Sequence, residues 1–561
     1  MSTTEKESKT GATSDEAVVH VLGTSDGGES QTGGAAEIPE SHRGLRMRHV
    51  QLIAISGSIG SAVFISIGNP LTSAGPLGLL IGLGIWCTVV WAASNCLIEM
   101  TTLLPCDGGF LQYATRFVDP SFGMALGWNY AITQWALICY DTTAINVICQ
   151  YWGTIHPAIM VSVTLVILGA LNLYSVRWYG EAEFWLSITK IILMFGLTLY
   201  TFVTMVGGNP LHDVYGFRFW KDPGVFGTNV GAREQVRGIF DAICWGTFAI
   251  VGPDYLSIVG GEVRHPRRVL PRAFNTTPYR IFFFYLTGAL CVGIASSSND
   301  QSLLGAIAAG APGAAKSPYV ISMNRLGIPV LPSIVNAVVL ISCMSTANSF
   351  AFVGSRSLFS LAQKGQAPRI FTRVNRNGVP YLAVIATLLL GCLSYLSVST
   401  QAAKVLNWWI SLTGSAQLVT WTCVAITYIR FRAGLKKQNL FDTDFLPQRG
   451  HLQPFSAWWL LTWSPIVFIF SGYYCFIGPF ATIDFVFVYG SGFIFAAIYL
   501  GAKAYDIFVR KQTRFWIKAE DIDFVTDIQH FNDMAKATEA KMAAKREKGT
   551  GVLQKIDHFL F

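Results

Sequence analysis

Apolar residues in this chain come in long blocks separated by short polar stretches. About twelve such blocks can be counted, near 48–68, 76–104, 123–152, 157–176, 184–206, 238–261, 279–297, 328–362, 380–399, 404–433, 455–478 and 482–508. A helix crossing the hydrocarbon core of a bilayer needs about 20 mostly apolar residues, and lipid offers the backbone no hydrogen-bond partner. The pattern therefore predicts an all-α polytopic membrane protein with twelve transmembrane helices. Flanking the 46–508 region are two polar segments. Residues 1–45, rich in Ser, Thr, Gly and Glu, read as a disordered tail without the apolar core of a signal peptide. Residues 509–561 carry an Ala/Lys/Glu-rich stretch at 534–548 whose apolar face is thin, which favours a loose tail over a surface-bound amphipathic helix.

Composition excludes the soluble alternative. Hydrophobic residues make up 52% of the 561 and charged residues 13%, about half the charged share of an ordinary soluble chain. The eleven cysteines stand singly, mostly inside apolar blocks, with no CxxC and no Cys/His spacing that would hold a metal. No P-loop, HExxH or GxSxG is present, so neither a cofactor nor an enzymatic reaction is implied.

Lys and Arg near the membrane set orientation. Arg43, Arg46 and Arg48 precede the first block and place the N-terminus in the cytoplasm. The loops after blocks six, eight and ten then fall on the same side, with Arg264, Arg267, Arg268, Arg272 and Arg280; Lys364, Arg369, Arg373 and Arg376; and Arg430, Arg432, Lys436, Lys437 and Arg449. The 207–237 loop is an exception, diluted by Asp213, Asp222 and Glu234. The net charge of +8 is thus an orientation signal rather than a nucleic-acid footprint. The sequon at Asn275 falls on the cytoplasmic side and carries no glycan. Lys6 and Lys9, beside Ser2, Ser8 and Ser14, are either handles for ubiquitin-ligase or trafficking partners or part of a plain solubilising tail.

Transporters built from two inverted repeats betray their sites by Gly/Pro breaks at matching places in each half. Block one is broken by Ser56-Gly57-Ser58-Ile59-Gly60-Ser61 and block six by Gly252-Pro253-Asp254. These are counterparts if each repeat has five helices (about 48–206 and 238–433), leaving the last two blocks, about 455–508, outside. A broken helix exposes N–H groups suited to a carboxylate and carbonyls suited to an ammonium. Taken alone, the Gly/Ser run of block one could equally be a helix-packing face; the matching break favours a site. Ionisable residues inside spans are costly and usually functional. Asp141 lies mid-block three, Asp254 at the break of block six, Lys190 within block five and Glu99 at the end of block two. Lys190 either occupies the place of a coupling cation or snorkels to the surface, since its block begins near Phe184. Glu99 is expected at the interface.

These residues resemble a known family. "RHVQLIAISGSIGSAVFISIG", "IEMTTLLPCDGGFLQYATRFVDPSFGMALGWNY", "QYW", "YGEAEFWLSITKI", "GGEVRHPRRVLPRAF", "ANSFAFVGSRSLFSLAQKGQAPRIFTRVNRNGVP" and "YIRFRAGLKKQ" follow in the order of the fungal amino acid permeases of the amino acid–polyamine–organocation superfamily. The resemblance covers about Arg48 to Asp523. It implies a five-plus-five inverted repeat with two extra helices, and import of amino acids by proton symport at the plasma membrane. Carried over, Ser58, Ile59, Gly60, Ser61 and Ala62 would cradle the substrate's carboxylate and amino groups. Phe248 would be the aromatic gate, with Ala249, Val251 and Asp254 lining the second break. Asp141 stands where relatives commonly have Glu, and Lys190 where the family has a lysine proposed in proton coupling. Gly60-Ser61-Ala62-Val63-Phe64 departs from the usual G-T-G-L-F, and Gly252-Pro253-Asp254 from G-T-E. Both changes touch the pocket rather than the fold. Apart from Lys190 the pocket has no basic residue, which favours neutral or weakly cationic amino acids. Two other readings share the fold: a transporter of another organic amine (choline, γ-aminobutyrate or a polyamine) and a non-transporting sensor, for which the 45-residue N-terminal tail is short.

Overall fold

The computed structural model describes residues 50–51, 60–153, 155–229, 231–263, 265–308, 317–399, 402–441, 445–477, 479–511 and 515–547. Over these residues the chain is helical almost throughout and forms no β-sheet. In chain order the helices are α1 (Ala62–Ile65), α2 (Gly68–Leu103), α3 (Phe110–Phe117), α4 (Pro120–Cys149), α5 (Pro157–Leu173), α6 (Val176–Met205) and α7 (Arg218–Lys221). The next are α8 (Ala232–Ala249), α9 (Pro253–Val259), α10 (Pro266–Ala295), α11 (Gln301–Ala308), α12 (Pro318–Arg325) and α13 (Leu331–Gln363). The last are α14 (Tyr381–Gly391), α15 (Leu396–Ser399), α16 (Ala402–Lys437), α17 (Phe455–Phe470), α18 (Thr482–Phe508) and α19 (Ile528–Glu547).

Among the described residues nine segments are long and apolar enough to cross a membrane, fewer than the twelve expected. Two of the others have visible reasons. Helix α5 is apolar but only 17 residues long. Helix α4 has 30 residues, yet its inward face carries Asn129, Thr133, Gln134, Asp141 and Asn146, all buried, and these dilute its hydropathy. Of block one, residues 48–49 and 52–59 lie outside the described residues. Boundaries also moved. Helix α6 begins at Val176 rather than near 184, and α10 begins at Pro266 rather than near 279, so much of the arginine-rich "loop" after block six is helix. Hydropathy marks what lipid covers; a helix running on into polar surroundings escapes it.

Close packing relies on small residues at crossings, as expected where helix association in lipid rests on backbone approach. A Cβ on Gly82 of α2 would lie 2.7 Å from Ala242 Cβ of α8, and one on Gly127 of α4 would lie 2.4 Å from Leu361 of α13. Helices α4 and α13 run antiparallel, since Gly354 likewise abuts Gln134. At Gly75 the φ of +70° interrupts α2, and the helix resumes at Pro76. A side chain at position 75 would collide with the backbone of Phe226.

The C-terminal region departs from the loose tail expected. Residues 515–531, which run into the first turn of α19, lie across the arginine-rich end of the bundle. Ile522, Phe524, Ile528 and Phe531 are buried. The Phe524 ring sits 5.6 Å from that of Phe117 and 5.7 Å from that of Phe431. Arg116 donates to the carbonyls of Asp523 (2.8 Å) and Thr526 (2.6 Å), and Gln438 donates to that of Ile522 (2.8 Å).

Candidate substrate and proton site

The break in block six is built by its own sequence. Helix α8 ends at Ala249, Ile250 turns to an extended conformation, and α9 starts at Pro253. Proline at the first helical position needs no N–H partner and steers the residue before it away from helix; Gly252 supplies the φ of +144° that an L side chain resists. Asp254, in the first turn of α9, accepts from the Gly252 N–H (3.3 Å) and from the Tyr130 hydroxyl of α4 (2.8 Å). A carboxylate suits this helix N-terminus. Asp254 is therefore committed to holding the break and tying it to α4.

At the other break only the downstream edge is described; Ser58 and Ile59 lie outside the described residues. Gly60 has φ +61°, and a Cβ there would lie 3.5 Å from the Ala249 carbonyl oxygen and 3.9 Å from the Tyr285 hydroxyl. That hydroxyl donates to the same Ala249 carbonyl. The downstream edge of the first break thus lies against the end of α8. Ser61 donates to Asp141 Oδ1 at 2.6 Å, linking the first break to α4. Asp141 is fully buried, and its Oδ2 has no hydrogen-bond partner among the described residues. Ala62 opens α1 and is buried. Phe248 packs edge-on against Tyr140, ring centroids 4.7 Å apart, and Val251 is buried beside it.

Lys190 does not snorkel. Because α6 starts at Val176, the side chain lies deep in the bundle, 0% exposed, and donates to Thr346 Oγ1 of α13 at 3.0 Å. Glu99 is buried at the end of α2, where it accepts from the Tyr428 hydroxyl (2.7 Å) and from the Gly450 N–H of the arginine-rich loop (2.8 Å). Several residues of this region escaped the sequence reading. Tyr130 and Tyr285 look like ordinary core aromatics until their hydroxyls are placed. Glu183 sits one residue before block five, outside any apolar run, yet it is fully buried. One signal was available: the polar run Ser345-Thr346-Ala347-Asn348-Ser349 interrupts block eight.

A profile of the amino acid permease family matches residues 49–517. The chain belongs to the amino acid permease family. This permease is 37% identical over 490 residues to a proline-specific permease of Emericella nidulans, covering 86% of this chain and 88% of that one. It is 38% identical over 498 residues to the general amino acid permease AGP2 of Saccharomyces cerevisiae, covering 87% and 83%. A dicarboxylic amino acid permease of Saccharomyces cerevisiae is 33% identical over 505 residues, covering 88% and 81%. Among solved structures, a manganese transporter of Eremococcus coleocola superposes with a TM-score of 0.50 at 13% identity, covering 86% of this permease and 95% of that chain, a likeness of fold alone.

Proposed function

We propose that this permease imports amino acids by proton symport across the plasma membrane, with both termini cytoplasmic and the two five-helix repeats forming the site between them. The observation that carries the reading is the 2.6 Å bond from Ser61, at the edge of the first break, to the buried Asp141 carboxylate. It joins the backbone that would hold the ligand to an ionisable group that could register it. The segment Ser58–Ala62 offers N–H groups to the substrate carboxylate, and Ala249 to Val251 offer carbonyls to its ammonium. Phe248, braced by Tyr140, closes over the ligand. Asp254 acts on the break through Gly252 and Tyr130. Asp141 and Lys190 carry the coupling: charges this deep are costly, so a change in either one's proton weighs on which conformation the bundle prefers.

The substrate is a neutral or weakly cationic amino acid, since Lys190 is the one basic side chain this reading places at the site. Proline is a reasonable first compound, given the relatives so named. A second reading, another organic amine such as choline or a polyamine, draws on the Asp141 oxygen without a partner among the described residues.

Uptake of a radiolabelled amino acid mixture into permease-deficient yeast expressing this chain, at pH 5 with and without a protonophore, tests the proposal. Saturable uptake abolished by the protonophore supports symport, and competition by single amino acids names the substrate. Uptake indifferent to the protonophore sinks the coupling. Surface expression without uptake, with binding of an amine but of no amino acid, favours the second reading.

A further inference from the structure

Glu183 is buried in the middle of the protein and has no part in the site just described. It lies seven residues before Lys190 on α6, so the two share a face about two turns, or roughly 10 Å, apart. Its carboxylate is held on both sides by α13. Ser345 donates to Oε1 at 2.6 Å and Asn348 to Oε2 at 3.0 Å, while Ser187 adds a longer contact at 3.4 Å. Asn348 is itself oriented by Asn172 of α5, 2.8 Å away. All of these side chains are buried. Consecutive residues of α13 divide the work: Thr346 holds Lys190 and Ser345 holds Glu183.

A lone carboxylate so deep would be prohibitive unless a charge compensates it. Three ionisable side chains and one ion pair can be named around it among the described residues. Lys190, on its own helix, is within electrostatic reach. Tyr179, one turn earlier on α6, adds its hydroxyl, and Tyr255 of α9 adds another from a neighbouring element. Further along stands the buried ion pair of Arg356 and Glu262, 2.9 Å apart. Phe352 links the two regions, stacked 3.9 Å from the Tyr179 ring and lying 3.8 Å under the Arg356 guanidinium. That ion pair lines a small cavity with Asp107, Gly108 and Phe359, towards the arginine-rich end.

We propose that Glu183 is the station to which Lys190 passes the transported proton on its way to the arginine-rich side, a role that rests on the symport reading above. Lys190 Nζ gives up a proton and becomes a neutral amine, and the Glu183 carboxylate takes it and becomes the acid. The charge pair becomes a neutral pair; over this separation the proton travels by relay, through water or the Thr346 and Ser345 hydroxyls that touch the two groups. Ser345 and Asn348 keep the acceptor oxygens in place, and the next transfer is to water at the Glu262–Arg356 end. The order follows from helix direction. Glu183 lies nearer than Lys190 to the start of α6, which under the charge-derived orientation is the cytoplasmic side.

The experiment compares wild type and Glu183→Gln in proteoliposomes by two readouts: accumulation driven by an imposed pH gradient, and exchange of labelled for unlabelled amino acid without a gradient. Glutamine keeps the shape but takes no proton. The expected result is loss of gradient-driven accumulation with exchange retained, and a pH profile of exchange that flattens. Accumulation equal to wild type with an unchanged profile would overturn the proposal, as would loss of both activities in a variant that still elutes as a folded monodisperse protein. Should Glu183→Gln fail to fold, Glu183→Asp decides. Its retained carboxylate is expected to restore accumulation with a displaced pH profile, and a profile identical to wild type counts against a proton-carrying role. A wild-type protein that exchanges but never accumulates with a pH gradient would refute the symport reading itself, and this inference with it.

Discussion

Arg356 and Glu262 give the clearest quantitative test of how this bundle is held together. Arg356 Nε lies 2.9 Å from Glu262 Oε1, with the side chains 6% and 3% exposed. Removing one partner of such a pair leaves an uncompensated buried charge and costs about 3–5 kcal/mol. The two partners differ in what survives. In Glu262→Gln, Arg356 keeps the Ser355 hydroxyl at 3.0 Å and the Phe352 face at 3.8 Å; a desolvated cation over a ring is worth about 2 kcal/mol. In Arg356→Met, Glu262 keeps little, because its Oε2 already has no partner among the described residues. Arg356→Met should therefore sit at the upper end of that range and Glu262→Gln at the lower end. The double variant should recover much of the loss, since a neutral pair of similar volume is often tolerated. Chemical unfolding in mild detergent, followed by tryptophan fluorescence, gives the three values. Equal stability of Arg356→Met and wild type, or a double variant as weak as the sum of the singles, would refute the reasoning.

Other expectations follow from the same geometry. Ser61→Ala removes a charge-assisted bond of about 1.5–3 kcal/mol to a buried carboxylate, and uptake should show an altered pH dependence with surface expression retained; an unchanged profile would detach Asp141 from coupling. Gly252→Ala forces a side chain to φ +144°, a strain of about 1–3 kcal/mol at the break; uptake should fall more than surface expression does, and equal uptake would argue that the break tolerates reshaping. Phe524→Ala deletes a buried ring at a cost of about 3–5 kcal/mol, and hydrogen exchange should then quicken across 515–531 and leave α4 unaffected. Burial would raise the Asp523 carboxyl, but the Thr526 and Val525 N–H groups and the Arg116 charge outweigh it and hold it at about 2. Its folded value lies below the ordinary one of about 3.9. Its contribution to docking is therefore complete above that ordinary value and fades as pH falls towards 2, which the same exchange measurement can follow; protection unchanged down to pH 2 would exclude it.

What could be read from the chain alone depended on which force placed a residue. The long apolar blocks were legible because lipid contact demands them, and Gly252-Pro253 marked its break to the residue because backbone chemistry is local. Lys190 and Asp141 announced themselves as charges inside apolar runs. Glu183 did not, since counting hydropathy ends a block at the first charge and so hides a charge buried by protein. The helical extension from Pro266 to Arg280 was hidden for a related reason. Nothing in Phe524 foretold its neighbours Phe117 and Phe431, which come from helices far apart in the chain.

The docked segment after α18 also sets a clock on biosynthesis. Arg116 and Phe117 are made some 407 residues before Asp523. At about 5–20 residues per second the interval is roughly 20–80 s. For that time the aromatic surface of Phe117, and later that of Phe431, lacks the cover of Phe524. Closure waits until residues 515–531 have been made. A product cut short before this segment keeps an apolar face that chaperones and degradation factors can grip, and a product that includes the segment hides it.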